Sequence, residues 1–183
     1  MNNKNRCKWC NLQNPRYIKY HDEEWCQPNF NDQYLVEMLI LESFQAGLSW
    51  ECVLNKREDF RKAYDNFDID TICNYDNKKI QELLSNEKII RNKLKINASI
   101  NNARIFKDIQ KEYGTFNDYL IKFTEGKTFY ETDKITSELS DKISKDLKKK
   151  GMRFVGSTII YSYLQAIGVI YSHDKECFMY KEI

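Results

Sequence analysis

The segment from residue 41 to residue 50 places a carboxylate where the surrounding sequence predicts an apolar side chain. A helical repeat that begins at Asp32, interpreted as the N-cap, puts Glu42 on an apolar face. The other members of that face are Leu35, Met38, Leu39 and Ala46. A buried carboxylate is costly unless it is paired or used, so Glu42 indicates either an ion pair with an Arg or Lys or a polar group inside a pocket. The nearby Trp50 favours the pocket.

Both histidines of the chain, His21 and His173, are candidate metal ligands. His173 and Cys177 are four residues apart, which puts both on one side of a helical turn. Together with Cys7 and His21 they offer two thiolates and two imidazoles, a closed set that suits a structural zinc ion. Cys10, in a CxxC with Cys7, is a competing ligand. The alternatives are ordinary polar histidines with buried thiols, or an open catalytic zinc, for which no general base lies nearby.

A lysine-rich segment with two glycines, residues 148–158, joins two predicted helices and is typical of a DNA-backbone contact. Gly151 and Gly156 permit a tight hairpin, and Ser157 or Thr158 would cap the second helix, whose N–H groups can bind a phosphate. The segment resembles a helix-hairpin-helix. Its candidate DNA-contacting residues are Lys150, Gly151, Arg153, Gly156, Ser157 and Thr158. The alternative is that the lysines only complement the dipole of the first helix.

Five aromatic residues cluster near the N-terminus and after the Glu42 helix: Trp9, Tyr17, Tyr20, Trp25 and Trp50. Aromatic residues are usually core residues. A pocket for a flat heterocycle nevertheless needs aromatic faces for stacking and a few polar groups at the ring edge. Glu42 and Trp50 with a tyrosine would meet that need.

Composition limits the class of protein without deciding its function. The 183 residues can form one compact domain, and 29 basic residues against 27 acidic ones give a net charge of +2, so nucleic-acid binding would depend on local clustering. No apolar run is long enough to span a bilayer, and the polar start is not typical of a secretory signal. Six scattered cysteines favour metal ligation and buried thiols in a cytoplasmic protein over a disulfide framework.

Helical periodicity dominates the chain from residue 32 onward, which predicts an all-α fold. The predicted helices are residues 32–46, 50–56, 58–64, 68–75, 76–85, 91–113, 115–123, 137–150 and 157–172. Residues 124–134 are predicted to form a loop that turns at residues 125–127. No strand pair is predicted, because alternating segments with hairpin signals are lacking.

Taken together, the residues resemble the bacterial 3-methyladenine DNA glycosylase I family along nearly the whole chain. The matching segments are residues 6–9, 17–25, 41–50 and 151–158, followed by the pair His173 and Cys177. The resemblance implies a compact all-α helix-hairpin-helix glycosylase, a single domain of residues 1–183 whose terminal segments, 1–30 and 170–183, are joined by structural Zn²⁺. It also implies the ligand set Cys7, His21, His173 and Cys177, which excludes Cys10. One departure is Cys26, where the family more often has glycine.

The resemblance further implies a pocket for a base flipped out of the duplex. Glu42, the catalytic residue, and Tyr20 would hydrogen-bond that base while Trp50 stacks on it, with Tyr17 and Trp9 as further wall residues. Leu48, just after Gly47, would insert into the duplex where the base has left.

The implied activity is hydrolysis of the N-glycosidic bond of 3-methyladenine in alkylated double-stranded DNA, with release of the free base. The implied enzyme is monofunctional, monomeric and cytoplasmic, and it needs no membrane. Methylation at N3 makes the base cationic and its bond weak, and the first acid after Gly156 is Asp174, which favours such a weak-bond substrate over neutral bases. The alternatives are a zinc-containing DNA-binding module that senses damage without cutting, an interaction protein whose aromatic residues are only core, and a glycosylase for a broader range of alkylated purines.

Overall fold

The computed structural model describes residues 4–182, so residues 1–3 and 183 of the predicted domain lie outside the described chain. The described part is mainly helical, as predicted. Its helices are α1 (Pro15–Glu23), α2 (Asp32–Gln45), α3 (Trp50–Asn55), α4 (Arg57–Ala63), α5 (Ile69–Cys73), α6 (Asn77–Ser85), α7 (Lys93–Tyr113), α8 (Phe116–Thr124), α9 (Glu138–Lys149) and α10 (Ser157–Ala166), with a 3₁₀ turn at Asp65–Phe67. None of these helices is long and apolar enough to cross a membrane.

Helix α2 runs through the centre of the molecule. Every residue from Leu35 to Phe44 is buried, and the helix packs against α3, α7, α8 and α10. The prediction of a single apolar face is therefore wrong, because α2 is enclosed on all sides. Its N-cap is Asn31, whose side chain accepts the backbone N–H groups of Gln33 and Tyr34. The predicted cap, Asp32, is the first helical residue and accepts the backbone N–H of Phe116.

Helix α1 was not predicted from the periodicity, although its start has a recognisable signal. The Asn14 side chain accepts the N–H of Arg16 at 3.1 Å, and Pro15 occupies the first helical position. The helix is short and rich in charge, so its apolar pattern is weak. It nevertheless buries Tyr17, Tyr20 and His21, and it therefore positions predicted pocket and metal residues.

The chain after α10 corrects two predictions. The helix ends at Ala166 and not at residue 172, because Gly168 has a φ of +77° and a Cβ there would lie 2.4 Å from the backbone of Gln27. The freed segment forms a short strand, β2 (Ile170–Tyr171), that pairs in parallel with β1 (Phe129–Tyr130). A strand pair thus exists where none was predicted, and β1 lies inside the predicted loop.

The connection between α9 and α10, residues 150–156, is called the α9–α10 hairpin. Gly151 has a φ of +99°, so the expected tight turn requires a glycine there. Helix α10 has Gly156 at its N-cap and no side-chain cap, which contradicts the predicted capping by Ser157 or Thr158. The Ser157 hydroxyl instead pairs with the hydroxyl of Ser140 on α9 at 2.8 Å.

Candidate functional site

Glu42 lies within the central helix and faces a cavity. Only 2% of its surface is exposed. Burial raises the pKa of its carboxyl group from 4.5 to about 8. Among the described residues, its Oε2 atom has no hydrogen-bond partner, and no salt bridge to Glu42 is formed there. The ion-pair explanation for this buried acid is therefore wrong, and the pocket explanation is favoured.

The cavity beside Glu42 is lined by aromatic rings and encloses about 340 Å³, within the range of small-molecule sites. Trp50 enters it from the first position of α3, which Ser49 caps by accepting the N–H of Cys52 at 3.2 Å. Tyr20 enters it from α1, with its ring centroid 5.2 Å from that of Trp50. The Nε1 donor of buried Trp50 has no partner among the described residues. The cavity thus offers a stacking surface with free polar groups at its edge.

Tyr20 offers the cavity a protonated hydroxyl. Burial, with a further contribution from nearby Glu42, raises the pKa of Tyr20 well above its usual value. Tyr17 also lines the cavity, and burial raises its pKa to about 12. Both hydroxyls are therefore neutral donors at physiological pH. A flat ligand here would meet two phenols and a carboxyl group.

Trp9 and Trp25 form the wall between this cavity and the cysteine–histidine cluster. Trp9 has its ring centroid 5.2 Å from that of Tyr17 and 4.6 Å from that of Trp25. Trp25 in turn lies 4.8 Å from the ring of His173. Both tryptophans line the cavity. The cavity and the cysteine–histidine cluster therefore share the two tryptophans as packing residues.

The structure brings Cys7, His21, His173 and Cys177 together, with all four ligand atoms within 4.8 Å of one another and all four residues buried. Cys7 Sγ lies 3.4 Å from His173 Nδ1, and Cys177 Sγ lies 3.5 Å from both His21 Nε2 and His173 Nδ1. In a tetrahedral Cys/His site, ordinary bond lengths place sulfur and nitrogen ligands about 3.5 Å apart. The donor set therefore fits a tetrahedral metal ion.

Outer contacts orient these four ligands. Asp22 accepts from His21 Nδ1 at 2.8 Å, which leaves His21 Nε2 facing the cluster, and Asp22 is held in turn by Arg6. The backbone N–H of Asp174 donates to Cys7 Sγ. Burial lowers the pKa of His173 to about 4, so its imidazole is neutral, as a ligand must be. The cluster found among the described residues does not include Cys10.

The predicted DNA-contacting residues form two groups near the surface, and Lys150, Gly156 and Ser157 of the second group are half-buried. The α2–α3 loop, residues 46–49, presents Gly47, with a φ of +77°, and Leu48, whose side chain is 43% exposed. In the α9–α10 hairpin, Arg153 is exposed, whereas Lys150 lies 3.5 Å from Glu112. Thr158 is exposed on the first turn of α10. Both groups are available to a ligand on the surface.

Sequence reasoning missed several residues that line the cavity. Trp25 was seen only as part of the aromatic cluster, and Gln45, one helical turn after Glu42, could have been found from its spacing. The remaining missed residues are Asp133, Lys134, Ser162, Gln165, Ser172 and Asp174. They come from segments distant in sequence, and no local signal points to them.

Cys26 occupies the position at which the resembled family more often has glycine. Its φ is +61°, a left-handed conformation that favours glycine, and its side chain is 1% exposed. The Sγ atom accepts the backbone N–H of Ser172 at 3.3 Å. The turn after Trp25 is therefore retained with a cysteine in it.

Fold and site together define a mainly helical protein with an aromatic-lined cavity beside a Cys/His cluster. A family model described as methyladenine glycosylase matches residues 9–180. DNA-3-methyladenine glycosylase 1 of Escherichia coli (strain K12) is 40% identical over 182 residues, 96% of each chain. The chain belongs to the methyladenine glycosylase family, as the sequence predicts.

Solved structures agree with this assignment. A crystal structure of 3-methyladenine DNA glycosylase I matches with a TM-score of 0.92 and 38% identity, over 97% of this chain and 100% of that one. The enzyme from Staphylococcus aureus, described for its recognition of 3-methyladenine, matches with a TM-score of 0.87 and 30% identity, over 91% of this chain and 92% of that one. The fold of this chain is thus that of the 3-methyladenine glycosylases.

Proposed function

We propose that this chain removes 3-methyladenine from alkylated DNA by hydrolysing its N-glycosidic bond, with Glu42 as the catalytic residue. The observation that carries the proposal is the buried carboxyl group of Glu42, which lines an aromatic cavity and has one oxygen without a hydrogen-bond partner among the described residues. A buried acid without an ion pair destabilises the fold, and its presence indicates a ligand that interacts favourably with it. The cationic 3-methylated base is such a ligand.

Base capture uses the groups that the free cavity leaves unpaired. Trp50 and Tyr20 provide aromatic faces, and the Tyr20 hydroxyl and Glu42 lie at the edge of the ring. Tyr17 and Trp9 close the wall. Binding of a cationic base favours ionisation of Glu42, which loses its proton to solvent, because opposite charges attract strongly in a buried site. Selection of the base therefore depends on its charge as well as on its shape.

Bond cleavage needs little acid catalysis. The C1′–N9 bond breaks and its electron pair passes to the cationic ring, so that the base leaves neutral without being protonated. A water molecule adds its oxygen to C1′ and loses one proton to solvent. Positive charge develops on the sugar in the transition state, and an ionised Glu42 stabilises that charge.

The test is incubation of the zinc-loaded protein with methylated duplex DNA, followed by chromatography of the free bases. We expect 3-methyladenine in the supernatant. Trp50→Ala should fold and yet release far less base, because it removes a stacking surface worth about 1–3 kcal/mol. Binding of methylated DNA without base release would instead identify a damage sensor, and release of 3-methylguanine at a similar rate would identify a broader alkyl-purine glycosylase.

We infer that the metal is Zn²⁺ with a structural role. A closed set of two thiolates and two imidazoles leaves no position for substrate, and zinc is the usual ion of such sets. The purified protein should contain about one zinc per chain by elemental analysis. The Cys177→Ser variant should lose zinc and melt at a lower temperature. The Cys10→Ser variant should keep the zinc content and the melting temperature of the unmodified protein. Equal loss of zinc from the two variants would contradict the assigned ligand set.

We propose that Gly47 and Leu48 enter the duplex and that the α9–α10 hairpin and the first turn of α10 bind its phosphates in a helix-hairpin-helix arrangement. The residues assigned to the phosphates are Lys150, Gly151, Arg153, Gly156, Ser157 and Thr158. The support is the exposure of Leu48, Arg153 and Thr158, together with the N–H groups at the start of α10, which has no side-chain cap.

Salt dependence tests this DNA interface. Arg153→Ala should weaken duplex binding and reduce the slope of log affinity against log salt by about 1, because one phosphate contact is lost. Lys107→Ala is the control, since Lys107 pairs with Asp70 on an acidic part of the surface. Equal slopes for Arg153→Ala and the unmodified protein would remove the hairpin from the interface.

We further infer that residues 1–183 act as one glycosylase domain and as a monomer in the cytoplasm. Buried side chains from α1 to α10 form one contiguous core, which supports the single domain. All six cysteines are free thiols, as a reducing compartment requires. Sedimentation of the zinc-loaded protein tests the monomer.

A further inference from the structure

Lys95, in the first turn of α7, is buried and holds the end of the central helix. It is 7% exposed, and its Nζ donates to the carbonyl of Phe44 at 2.7 Å and to that of Ala46 at 2.6 Å. The last carbonyls of a helix lack partners within the helix, and a cation near them is favourable. Burial lowers the pKa of Lys95, and its charge is stabilised by these two carbonyls and by the ring of Phe154, whose centroid lies 5.9 Å from Nζ.

The carbonyls that Lys95 binds lie directly before the proposed insertion into DNA. The intervening carbonyl, that of Gln45, accepts the N–H of Leu48 at 2.7 Å. Three successive carbonyls at the end of α2 are thus occupied, two of them by a single lysine. The exposed Leu48 therefore projects from a backbone whose position depends on Lys95.

The same helix holds the α9–α10 hairpin through two asparagines. Asn102, 1% exposed, donates to the carbonyl of Arg153 at 2.8 Å and accepts its N–H at 2.9 Å. Asn101 donates to the carbonyl of Gly151 at 3.0 Å. Lys95 and Asn102 are seven residues apart, so they lie on one side of α7 about 10 Å from each other.

We propose that α7 fixes the spacing between the α2–α3 loop and the α9–α10 hairpin, with Lys95 and Asn102 as positioning residues for DNA engagement. This inference rests on the proposed function, because it assigns both loops to the duplex. A single duplex must meet both loops at once, and a rigid helix bonded to each sets their separation in advance. An error of about 1 Å in such a position can cost a large factor in rate or affinity.

Binding to a duplex that carries a tetrahydrofuran abasic analogue tests the proposal in the zinc-loaded full chain. Lys95→Met keeps the apolar stem and removes both hydrogen bonds, and we expect it to weaken duplex affinity about tenfold, the effect of losing bonds to a charged donor. Its affinity for free 3-methyladenine, measured by tryptophan fluorescence, should stay within about twofold, because Lys95 does not line the cavity.

The discriminating measurement repeats this substitution in a Leu48→Ala background. If Lys95 acts through Leu48, Lys95→Met should weaken duplex affinity by less than about twofold in this background. Asn102→Ala acts through the hairpin, so it should weaken duplex affinity by the same factor with or without the Leu48→Ala substitution. Lys107→Met removes the same charge from the same helix and should match the unmodified protein.

A Lys95→Met defect of equal size in both backgrounds, or no defect at all, would overturn the positioning role. A parallel loss of free-base affinity would overturn it as well, by showing a general disturbance of the fold. Because these readouts measure binding, they are separate from the proposed activity. An unmodified protein that releases no base would contradict that activity and leave the positioning measurements intact.

Discussion

Two buried glutamates on α2 meet opposite environments. Glu37, 7% exposed, accepts from Arg57 Nε at 2.8 Å and from Arg61 Nε at 2.8 Å. Glu42, 2% exposed, is in no ion pair among the described residues and faces the aromatic cavity. They are five positions apart, so they leave the helix on different sides.

The difference supports the proposal that Glu42, and not Glu37, belongs to a site. The charge of Glu37 is satisfied within the fold, and its partner Arg57 is held also by Glu24 at 2.6 Å. Among the residues that the structure describes, no charged group compensates the burial of Glu42, and burial raises its pKa to about 8. A helix can therefore carry one carboxylate for the fold and another for a ligand, and the partners of each distinguish the two roles.

The largest expected effect is on catalysis, from Glu42→Gln. The amide keeps the shape of the side chain and cannot become an anion, so stabilisation of the cationic sugar is lost. We expect the single-turnover rate of 3-methyladenine release to fall by about 10²–10³, as when a preorganised electrostatic group is removed. Zinc content and melting temperature should not fall. Release at the normal rate would show that Glu42 is not the catalytic residue.

Glu37→Gln should lower stability and leave catalysis unchanged, because it leaves two arginines without their buried anion. Breaking such a network from one side costs about 3 kcal/mol of unfolding free energy, which urea unfolding would measure. The rate of base release below the melting temperature should stay near normal. Glu58→Gln is the matched control, because Glu58 pairs with Arg61 at the surface and costs at most about 1 kcal/mol. Similar losses for both substitutions would remove the distinction between the two glutamates.

Part of this contrast could be predicted from the sequence. Glu42 was recognised because an acid interrupted an apolar repeat and an aromatic cluster lay nearby. Glu37 interrupts the same helix, but α2 is enclosed on all sides, and a one-face repeat assigns Glu37 to solvent. Its partners lie on α4, 20 and 24 residues away, and side-chain pairing over such distances leaves no periodic signal.

The limits were similar elsewhere in the molecule. The four members of the Cys/His cluster were predicted because few residue types bind such a metal, and the structure brings them together. The ends of elements were less predictable: Asn31 is the N-cap in place of Asp32, and Gly156 is the N-cap in place of Ser157 or Thr158. Neighbouring capping residues compete within about a residue, and only tertiary contacts decide between them.

The smallest expected effect sharpens the comparison through pH. The pKa of folded Glu42 is raised from 4.5 to about 8, so between these values the folded state binds more protons than the unfolded state. The stability contributed by neutral Glu42 is complete below pH 4.5 and is lost as pH rises through about 8. Glu42→Gln lacks this titration, so its unfolding free energy relative to the unmodified protein should rise by about 2 kcal/mol between pH 6 and pH 8. Other groups titrate equally in both proteins and cancel in that difference, provided zinc is saturating. If the difference in unfolding free energy between the two proteins is constant across this range, Glu42 is already ionised in the ligand-free cavity. The base would then bind to an existing carboxylate, and no proton would be released from Glu42.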